Sequence, residues 1–250
     1  MSRNLSCRAL VLRSRASGGS NREVWLLGAE AGLLRATVFG GPKSRLRSYA
    51  SPFHSGRAWI YHDPVKDTRK LTDFDVGSWR PEIREMYERA MAADAVAQTV
   101  LASHGGGGSW DVALFLAEAA LDALAGADGD TCSGILLWFL WRWADFLGLR
   151  PEFESCALCG RPVSQSCVLR FSPREGGMVC ASCPGGAAER GRDLVQAGPG
   201  CRLWLETLLR LSPSRLAGLA PDPASFREAK SLATAILGGM LGKRLTSWEW

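Results

Sequence analysis

Two Cys-x-x-Cys pairs constrain the fold of this chain more than any other feature of its sequence. Cys156 and Cys159 form the first pair, Cys180 and Cys183 form the second, and twenty residues separate the pairs. Each pair places two thiolates on one side of a tight turn, and two such turns complete a tetrahedral cage without an open position. The spacing therefore predicts a structural site for one Zn²⁺ per chain, with all four cysteines as ligands.

The residues around the two pairs, 151–190, are predicted to depend on this metal. The stretch between the pairs contains two prolines and a Gly-Gly step, and it has too few apolar residues to fold unaided. A redox role for the pairs stays open as an alternative, although a redox pair usually opens a helix in a βαβ unit and 151–183 shows no such unit.

The remaining four cysteines are predicted to be small buried hydrophobic residues rather than ligands. They are Cys7, Cys132, Cys167 and Cys201. Only Cys167 lies between the two pairs, so it is the one cysteine of this group that could compete as a metal ligand.

Residues 1–77 carry short runs of strand-forming residues that turn signals separate. The candidate strands are Leu5–Arg13, Glu23–Leu27, Leu33–Phe39, Arg57–Tyr61 and Val65–Phe74. Five short strands in so few residues suit an OB-fold, a partly open Greek-key barrel that often binds single-stranded nucleic acid. The pattern alone does not distinguish an OB-fold from an SH3-like barrel.

After these strands the apolar residues recur at the three- and four-residue steps of α-helices. Three helices are predicted in succession, from Pro81 to a flexible Gly105–Gly108 loop, from a cap at Ser109 to about Ala125, and from a cap at Thr131 to about Gly148. The third helix is apolar nearly all round, so we expect it to be buried. Two further helices are predicted at Cys201–Leu211 and Ser225–Leu241.

These patterns predict an α+β protein with two domains. Residues 1–77 form an N-terminal five-stranded OB-fold β-barrel that binds nucleic acid. Residues 78–250 form a mostly helical domain into which the Cys₄ zinc segment, residues 151–190, is inserted.

Positive charge is concentrated in the predicted barrel. Residues 1–70 contain thirteen Lys and Arg against four Asp and Glu, which gives a net charge of +9. Residues 71–250 contain seventeen against twenty-one, a net charge of −4. This asymmetry predicts a polyanionic partner for the barrel.

A glycine-rich basic loop, residues 40–47, follows the third candidate strand. Its two glycines allow the backbone to approach a ligand closely, and its proline stiffens the turn. Its cations can neutralise phosphates and Ser44 can donate to a phosphate oxygen, while Arg35, and Arg57 if it shares that face, extend the patch. The predicted DNA-binding residues are Arg35, Lys43, Ser44, Arg45, Arg47 and Arg57.

Aromatic residues are interleaved with these charges. They are Phe39, Tyr49, Phe53, Trp59 and Tyr61. Some of them could stack on bases, but we expect most of them to fill the core of a small barrel.

No catalytic motif stands out in the sequence. The three histidines match neither an HExxH motif nor a zinc-ligand spacing, and the Walker, GxSxG and GxGxxG patterns are missing. The most apolar stretch, Ile135–Trp141, is too short to cross a bilayer, and the first residues lack the apolar run of a signal peptide. We therefore predict a non-enzymatic cytoplasmic protein without a membrane partner.

Five stretches of the sequence resemble motifs of the RecO family of DNA repair proteins. Residues 40–53 resemble its glycine/basic/Ser loop, and residues 139–151 resemble the helix that ends in Leu-Gly-x-x-Pro before the zinc segment. Residues 154–161 and 171–183 resemble its two cysteine knuckles, and residues 241–247 resemble its C-terminal motif. The similarity extends over nearly the whole chain.

The resemblance implies an N-terminal OB-fold, a helical domain bearing zinc, binding to single- and double-stranded DNA, and annealing of complementary strands. It also implies partnership with RecR, contact with single-stranded DNA-binding protein, and assistance in loading the RecA recombinase. We expect such a protein in the cytoplasm, associated with the nucleoid. Two alternatives stay open, an RNA-binding protein, because an OB-fold can bind either polymer, and a thiol redox enzyme that uses the Cys-x-x-Cys pairs.

Overall fold

The computed structural model describes residues 3–41, 43–106, 108–183 and 195–242. Parts of four predictions lie outside these ranges, namely Pro42, Gly107, residues 184–190 of the zinc segment and residues 243–247 of the C-terminal motif. The chain divides into two compact units, Met1–Ala127 and Asp128–Trp250. The first unit contains two long helices after the barrel, and the predicted domain boundary after residue 77 stays a prediction.

The first unit is built on a closed five-stranded barrel with the strand order β1-β2-β3-β5-β4. Its strands are β1 (Asn4–Ser17), β2 (Asn21–Gly28), β3 (Gly32–Val38), β4 (Ser55–Asp63) and β5 (Thr68–Ser78). A short helix, α1 (Arg45–Tyr49), lies between β3 and β4. The parallel contact between β3 and β5 closes the barrel in the order of an OB-fold, so the predicted fold is confirmed.

Alternation along the strands places small and branched residues inside the barrel. Cys7, Ala9 and Val11 of β1 face inward, and Phe74 of β5 is completely buried among the side chains of the core. β5 begins at Thr68, three residues later than predicted, because the Asp63 carboxylate accepts the N–H groups of the two residues after Pro64 and holds a turn there.

Two longer helices follow the barrel in the first unit, α2 (Tyr87–Ala102) and α3 (Trp110–Ala125). They pack on each other, and α3 packs on β1 and β2. The Trp110 ring covers Gly32, whose φ of 67° and lack of a Cβ both matter, since a Cβ there would lie 2.6 Å from the ring. Gly105, in the predicted flexible loop, is buried between α2 and α3.

The predicted helix from Pro81 is interrupted, which corrects the sequence prediction. Residues Pro81–Arg84 form one 3₁₀ turn, and Met86 is extended before α2 begins. The preceding residue, Arg80, has a φ of 47° and a buried guanidinium. This guanidinium contacts Asp122 at 2.6 Å and donates to the Phe53 carbonyl at 2.7 Å, so tertiary hydrogen bonds override the local helical pattern.

In its described residues, the second unit combines three α-helices with a small sheet. The helices are α4 (Gly129–Phe146), α5 (Pro199–Arg210) and α6 (Pro223–Leu241), and the strands are β6 (Leu169–Ser172), β7 (Gly177–Cys180) and β8 (Gln196–Ala197). The sheet has the order β7-β6-β8. α4 is buried nearly all round, as predicted, but its cap is Asp128, whose carboxylate accepts the Thr131 N–H, and not Thr131 itself.

Within the described ranges, no helix combines the length and the apolar character that crossing a membrane requires.

Candidate metal centre and nucleic-acid interface

The four cysteines of the two Cys-x-x-Cys pairs come together in the second unit. Their Sγ atoms all lie within 4.8 Å of one another. Cys156 Sγ is 3.7 Å from Cys183 Sγ, and Cys159 Sγ is 4.0 Å from Cys180 Sγ. A tetrahedral Zn²⁺ with Zn–S bonds of about 2.3 Å would place its sulfur ligands about 3.8 Å apart. The donor atoms and their spacing therefore fit a metal ion with closed sulfur coordination.

The electrostatics of this cluster favour the thiolate of Cys156 and oppose that of Cys183. Burial disfavours ionisation of Cys156, but backbone N–H groups of Cys180, Cys159 and Leu158 outweigh this and lower the pKa of its thiol to about 6. The pKa of Cys183 is raised because its thiol hydrogen-bonds to the sulfur atoms of Cys159 and Cys180. A bound cation would remove this opposition, because the thiolate is the form that ligates metal.

Backbone pairing carries the two knuckles towards each other. The Ala157 N–H in the first knuckle donates to the Met178 carbonyl of β7 at 2.8 Å, and β7 ends at Cys180. Arg202 of α5 anchors the stretch between the knuckles, because its Nη2 donates to the carbonyls of Cys167, at 2.8 Å, and Gln165. Cysteines that lie twenty residues apart in sequence therefore meet at one point.

The cysteines outside the cluster differ in their burial. Cys7, Cys132 and Cys201 are buried, as predicted. The prediction of a buried Cys167 is wrong, because this residue is exposed in the stretch between the knuckles, and it does not belong to the cluster of four.

One end of the barrel gathers five of the six predicted DNA-binding residues, and we call it the basic end. The β1–β2 turn and the last residues of β3 lie there together, because Arg22 pairs with Val38. The loop after β3 returns to this turn, where Arg47 donates to the Ser20 carbonyl at 3.2 Å. The basic end therefore holds Arg35, Lys43, Ser44, Arg45 and Arg47.

The cations of the loop differ in how firmly they are held. Lys43 is exposed and makes no hydrogen bond or ion pair with any residue that the structure describes. Arg45 is exposed, and its Nη2 donates to the Tyr49 hydroxyl at 2.6 Å. Gly40 shapes the loop, because its φ is 123° and a Cβ there would lie 3.0 Å from the Ser44 side chain.

Arg57, the sixth predicted DNA-binding residue, lies away from Arg35. On the outer face of the barrel it stands between Arg8 of β1 and Asp75 of β5. Arg8 also forms an ion pair with Glu118 of α3 at 3.6 Å. Through the register of β1, β2 and β3, Arg57 is about 13 Å along the strand direction from Arg35.

Sequence reasoning missed two arginines and a tryptophan on the outer face of β1 and β2. Arg13 pairs with Trp25, and Arg15 pairs with Glu23, across the β1–β2 ladder. Simple alternation from Val11 would turn both arginines into the core, but a bulge between Val11 and Arg13 reverses the faces. The Arg-x-Arg spacing, set beside a strand with Glu-x-Trp, was the signal that could have shown them.

None of the five aromatic residues is among the buried residues of the barrel core, which corrects the sequence expectation, although the half-buried Tyr49 packs against that core. Trp59 lies on the outer face, because alternation along β4 turns Ala58 and Ile60 inward, and the same applies to Tyr61. Phe39 is half exposed, with the Lys70 ammonium 5.1 Å from its ring centroid. Several aromatic rings are therefore on the surface of the barrel.

Comparisons with known proteins find the same family over nearly the whole chain. Residues 1–77 match the family model described as Recombination protein O N terminal, and residues 84–249 match Recombination protein O C terminal. The DNA repair protein RecO of Anaeromyxobacter sp. (strain K) is 32% identical over 247 residues, which cover 95% of this chain and 92% of that protein. The DNA repair protein RecO of Desulfitobacterium hafniense (strain DSM 10664 / DCB-2) is 29% identical, over 96% of this chain and 86% of that protein. The chain therefore belongs to the RecO family of DNA repair proteins.

Proposed function

We propose that this protein is a mediator of homologous recombination that binds single- and double-stranded DNA, anneals complementary strands and, together with RecR, helps to load RecA. The observation that carries this proposal is the basic end of the OB-fold barrel, where exposed cations from a strand, a loop and a short helix meet. Such an arrangement suits a phosphate backbone, because cations position nucleic acid whatever its sequence.

The proposed mechanism requires no covalent chemistry. Arg35, Lys43, Arg45 and Arg47 neutralise the phosphates of two strands, with Ser44 donating to a phosphate oxygen. The reduced repulsion and the raised local concentration then promote base pairing between the strands. Four phosphate contacts on single strands predict that log affinity falls with log salt concentration with a slope of about −3.

We also propose that the cysteine cluster holds one structural Zn²⁺ per chain. Four sulfur ligands leave no open position for a substrate, so the ion would stabilise the knuckles and take no part in a reaction. The expected domains are a DNA-binding barrel, residues 1–77, and a helical domain, residues 78–250, that carries the zinc segment 151–190.

The proposed partners are RecR and single-stranded DNA-binding protein, with RecA as the recombinase that the assembly serves. These partners, and a place at the nucleoid in the cytoplasm, rest on family resemblance. The proposed partnership with RecR can be tested directly, because the rate of annealing by this protein should change when RecR is added.

The experiment is to measure annealing of complementary oligonucleotides, one carrying a fluorophore and the other a quencher, with and without RecR. We expect the protein to accelerate pairing, and the triple charge reversal Lys43→Glu, Arg45→Glu and Arg47→Glu to remove the acceleration. It should also weaken binding to all sequences equally, because phosphate contacts carry no sequence information. Pairing that runs no faster with the protein present would overturn the proposal.

Arg57 is the residue whose proposed DNA contact the geometry supports least. Its register position beside Asp75 reduces its effective charge, and it lies away from Arg35 along the strand direction. Arg57→Ala should therefore weaken DNA binding less than Arg35→Ala. Competition between DNA and RNA of one sequence, on the same variants, tests the RNA-binding alternative.

A further inference from the structure

A buried carboxylate lies at the centre of the positively charged face of β1, β2 and β3. Only 8% of the Glu23 side chain is exposed, whereas 59% of Arg15 and 62% of Arg35 are exposed above it. Glu23 Oε2 accepts from Arg15 Nε at 2.8 Å and lies 2.7 Å from its Nη2. The other oxygen, Oε1, accepts from Arg35 Nε. One carboxylate on the middle strand therefore joins arginines of both neighbouring strands.

Trp25 holds the same two arginines from a second side. It lies two residues from Glu23 on the same face of β2 and pairs with Arg35 across the β2–β3 ladder. The guanidinium carbon of Arg15 is 4.9 Å from the centroid of the Trp25 ring, and that of Arg35 is 5.8 Å away. Both distances are within the range of a cation–π contact, so each guanidinium is held by a ring as well as by a carboxylate.

Folding stability alone does not explain why a carboxylate lies in this positively charged surface. A carboxylate in a surface that binds a polyanion repels phosphates, and ion pairs with such exposed arginines add little to folding stability. Burial alone would favour a protonated Glu23, yet its pKa is lowered because Arg35 and Arg15 donate hydrogen bonds to it and place two positive charges beside it. The carboxylate is therefore charged where DNA would be bound.

We propose that Glu23 is a positioning residue that, with Trp25, fixes the Arg15 and Arg35 guanidiniums as a two-armed clamp for the phosphodiester backbone of a nucleic acid. This inference rests on the proposed DNA-binding function, and it adds a residue of the opposite charge to the site. Glu23 accepts only from Nε of Arg35, so both NH₂ groups of Arg35 can still donate to a phosphate. Nη1 of Arg15 can do the same, since Glu23 contacts only Nε and Nη2 of that arginine.

Preorganisation explains why a negative charge can strengthen binding to a polyanion. A free arginine loses side-chain entropy when it binds a phosphate, whereas a guanidinium held by a carboxylate and a ring has already lost it. The clamp differs in this way from Lys43, which nothing in the described chain restrains. The loop cations attract a strand, and the clamp holds its backbone in one register.

The test compares two substitutions that raise the net charge of the protein by the same amount. Glu23→Gln removes the carboxylate of the clamp. Glu30→Gln is the matched control, because Glu30 is exposed in the β2–β3 turn at the opposite end of these strands. Binding of a fluorescein-labelled oligo-thymidine strand to the full chain is measured by anisotropy over a range of salt concentrations.

We expect Glu23→Gln to weaken binding about fivefold, because two rotamer-rich side chains must then be ordered on binding. Glu30→Gln should leave affinity equal or slightly tighter. If net charge alone determines the affinity for the oligonucleotide, both substitutions tighten binding equally, and the inference is overturned. Thermal melting of the barrel verifies that Glu23→Gln folds, since the Gln amide oxygen still accepts a hydrogen bond from either arginine.

A second variant tests the clamp without changing its charge. Arg15→Lys combined with Arg35→Lys keeps two cations but removes the planar guanidinium that Glu23 and Trp25 hold. We expect weaker binding with an unchanged salt slope, because the number of neutralised phosphates stays the same. Unchanged affinity in this variant and in Glu23→Gln would overturn the clamp and leave the proposed function intact. If the unaltered chain binds no nucleic acid, the proposed function itself fails, and the clamp fails with it.

Discussion

The barrel and the zinc segment differ in what stabilises each of them. Thirteen buried residues form the barrel core, and a continuous ring of strand pairs closes around them. Among the described residues, the cluster around the proposed ligands contains three buried residues, Cys156, Val179 and Cys183, and two of these are proposed ligands themselves. An apolar cluster of that size cannot offset the entropy of ordering the two cysteine knuckles. The barrel should therefore fold by burial of apolar surface, and the zinc segment by binding a cation.

The largest expected effect follows from removing one sulfur. Cys156→Ser replaces the most buried cysteine of the cluster and should abolish binding of Zn²⁺, with loss of metal-linked stability on the order of 10 kcal/mol. Hydrogen exchange should show β6 and β7 unprotected, while the barrel strands keep their protection. Metal analysis of the purified protein should fall from about one equivalent of zinc to none.

Cys167→Ser is the matched control for this change. Cys167 lies on the same segment but is exposed and outside the cluster, so both zinc content and protection should stay as in the unaltered chain. A full equivalent of zinc in Cys156→Ser, or the same loss in both variants, would contradict the proposed ligand set.

The converse experiment weakens the barrel and spares the zinc segment. Phe74 is completely buried in the barrel core, so Phe74→Ala should cost about 3–5 kcal/mol through lost burial and the cavity that it leaves. Unfolding followed by hydrogen exchange at β4 and β5 should show the loss, whereas zinc content should not change. Phe39→Ala, at a position where half of the ring is exposed, is the control and should change the stability of the barrel little. A fall in zinc content with Phe74→Ala would show that the two regions are not independently held.

The two regions also differ in how far their sequences revealed them. All five barrel strands could be located from runs of strand-forming residues and turn residues, although β1 continues past its bulge to Ser17, beyond the predicted end at Arg13. The three strands of the second unit could not, since Leu169–Ser172 and Gly177–Cys180 are too short to show a period. They are strands because the knuckles bring them together and because Arg202 anchors the stretch before them.

For the candidate sites the order is reversed, because the site in the second unit was easier to predict from the sequence than the site on the barrel. The cysteine spacing alone predicted which four side chains would meet, because metal ligands require few residue types at short spacing. The charge count located the basic end but not the partners of its arginines. Those partners depend on one bulge in β1, which brings Arg15 beside Glu23, and alternation has no means of predicting it.

The smallest expected effect is a difference between the two units in how acid lowers their stability, and one carboxylate in each unit is chosen to measure it. In the second unit, a hydrogen bond from the Ser225 side chain, supported by the N–H groups of Ser225 and Ala224, lowers the pKa of Asp222 at the start of α6. In the barrel, the pKa of Glu23 is lowered, against the effect of its burial, by Arg35 and Arg15. Both carboxylates are thus more acidic in the folded chain than in the unfolded chain.

The sign of the pH dependence follows from these shifts. A carboxylate with a lowered pKa contributes stability that is present above its unfolded pKa, about 3.9 for Asp and about 4.3 for Glu, and that is lost as the pH falls through the folded pKa. Asp222→Ser keeps a capping oxygen but removes the titration, so hydrogen exchange in α6 should lose part of its acid dependence while that in β2 does not change. Glu23→Gln should give the mirror result, with the change in β2 alone. Each variant is compared with the unaltered chain at the same pH, so that protonation of the cysteine thiolates affects both equally. Equal changes in both units for either variant would show that the carboxylates act through the whole chain and would remove the contrast between the barrel and the helical unit.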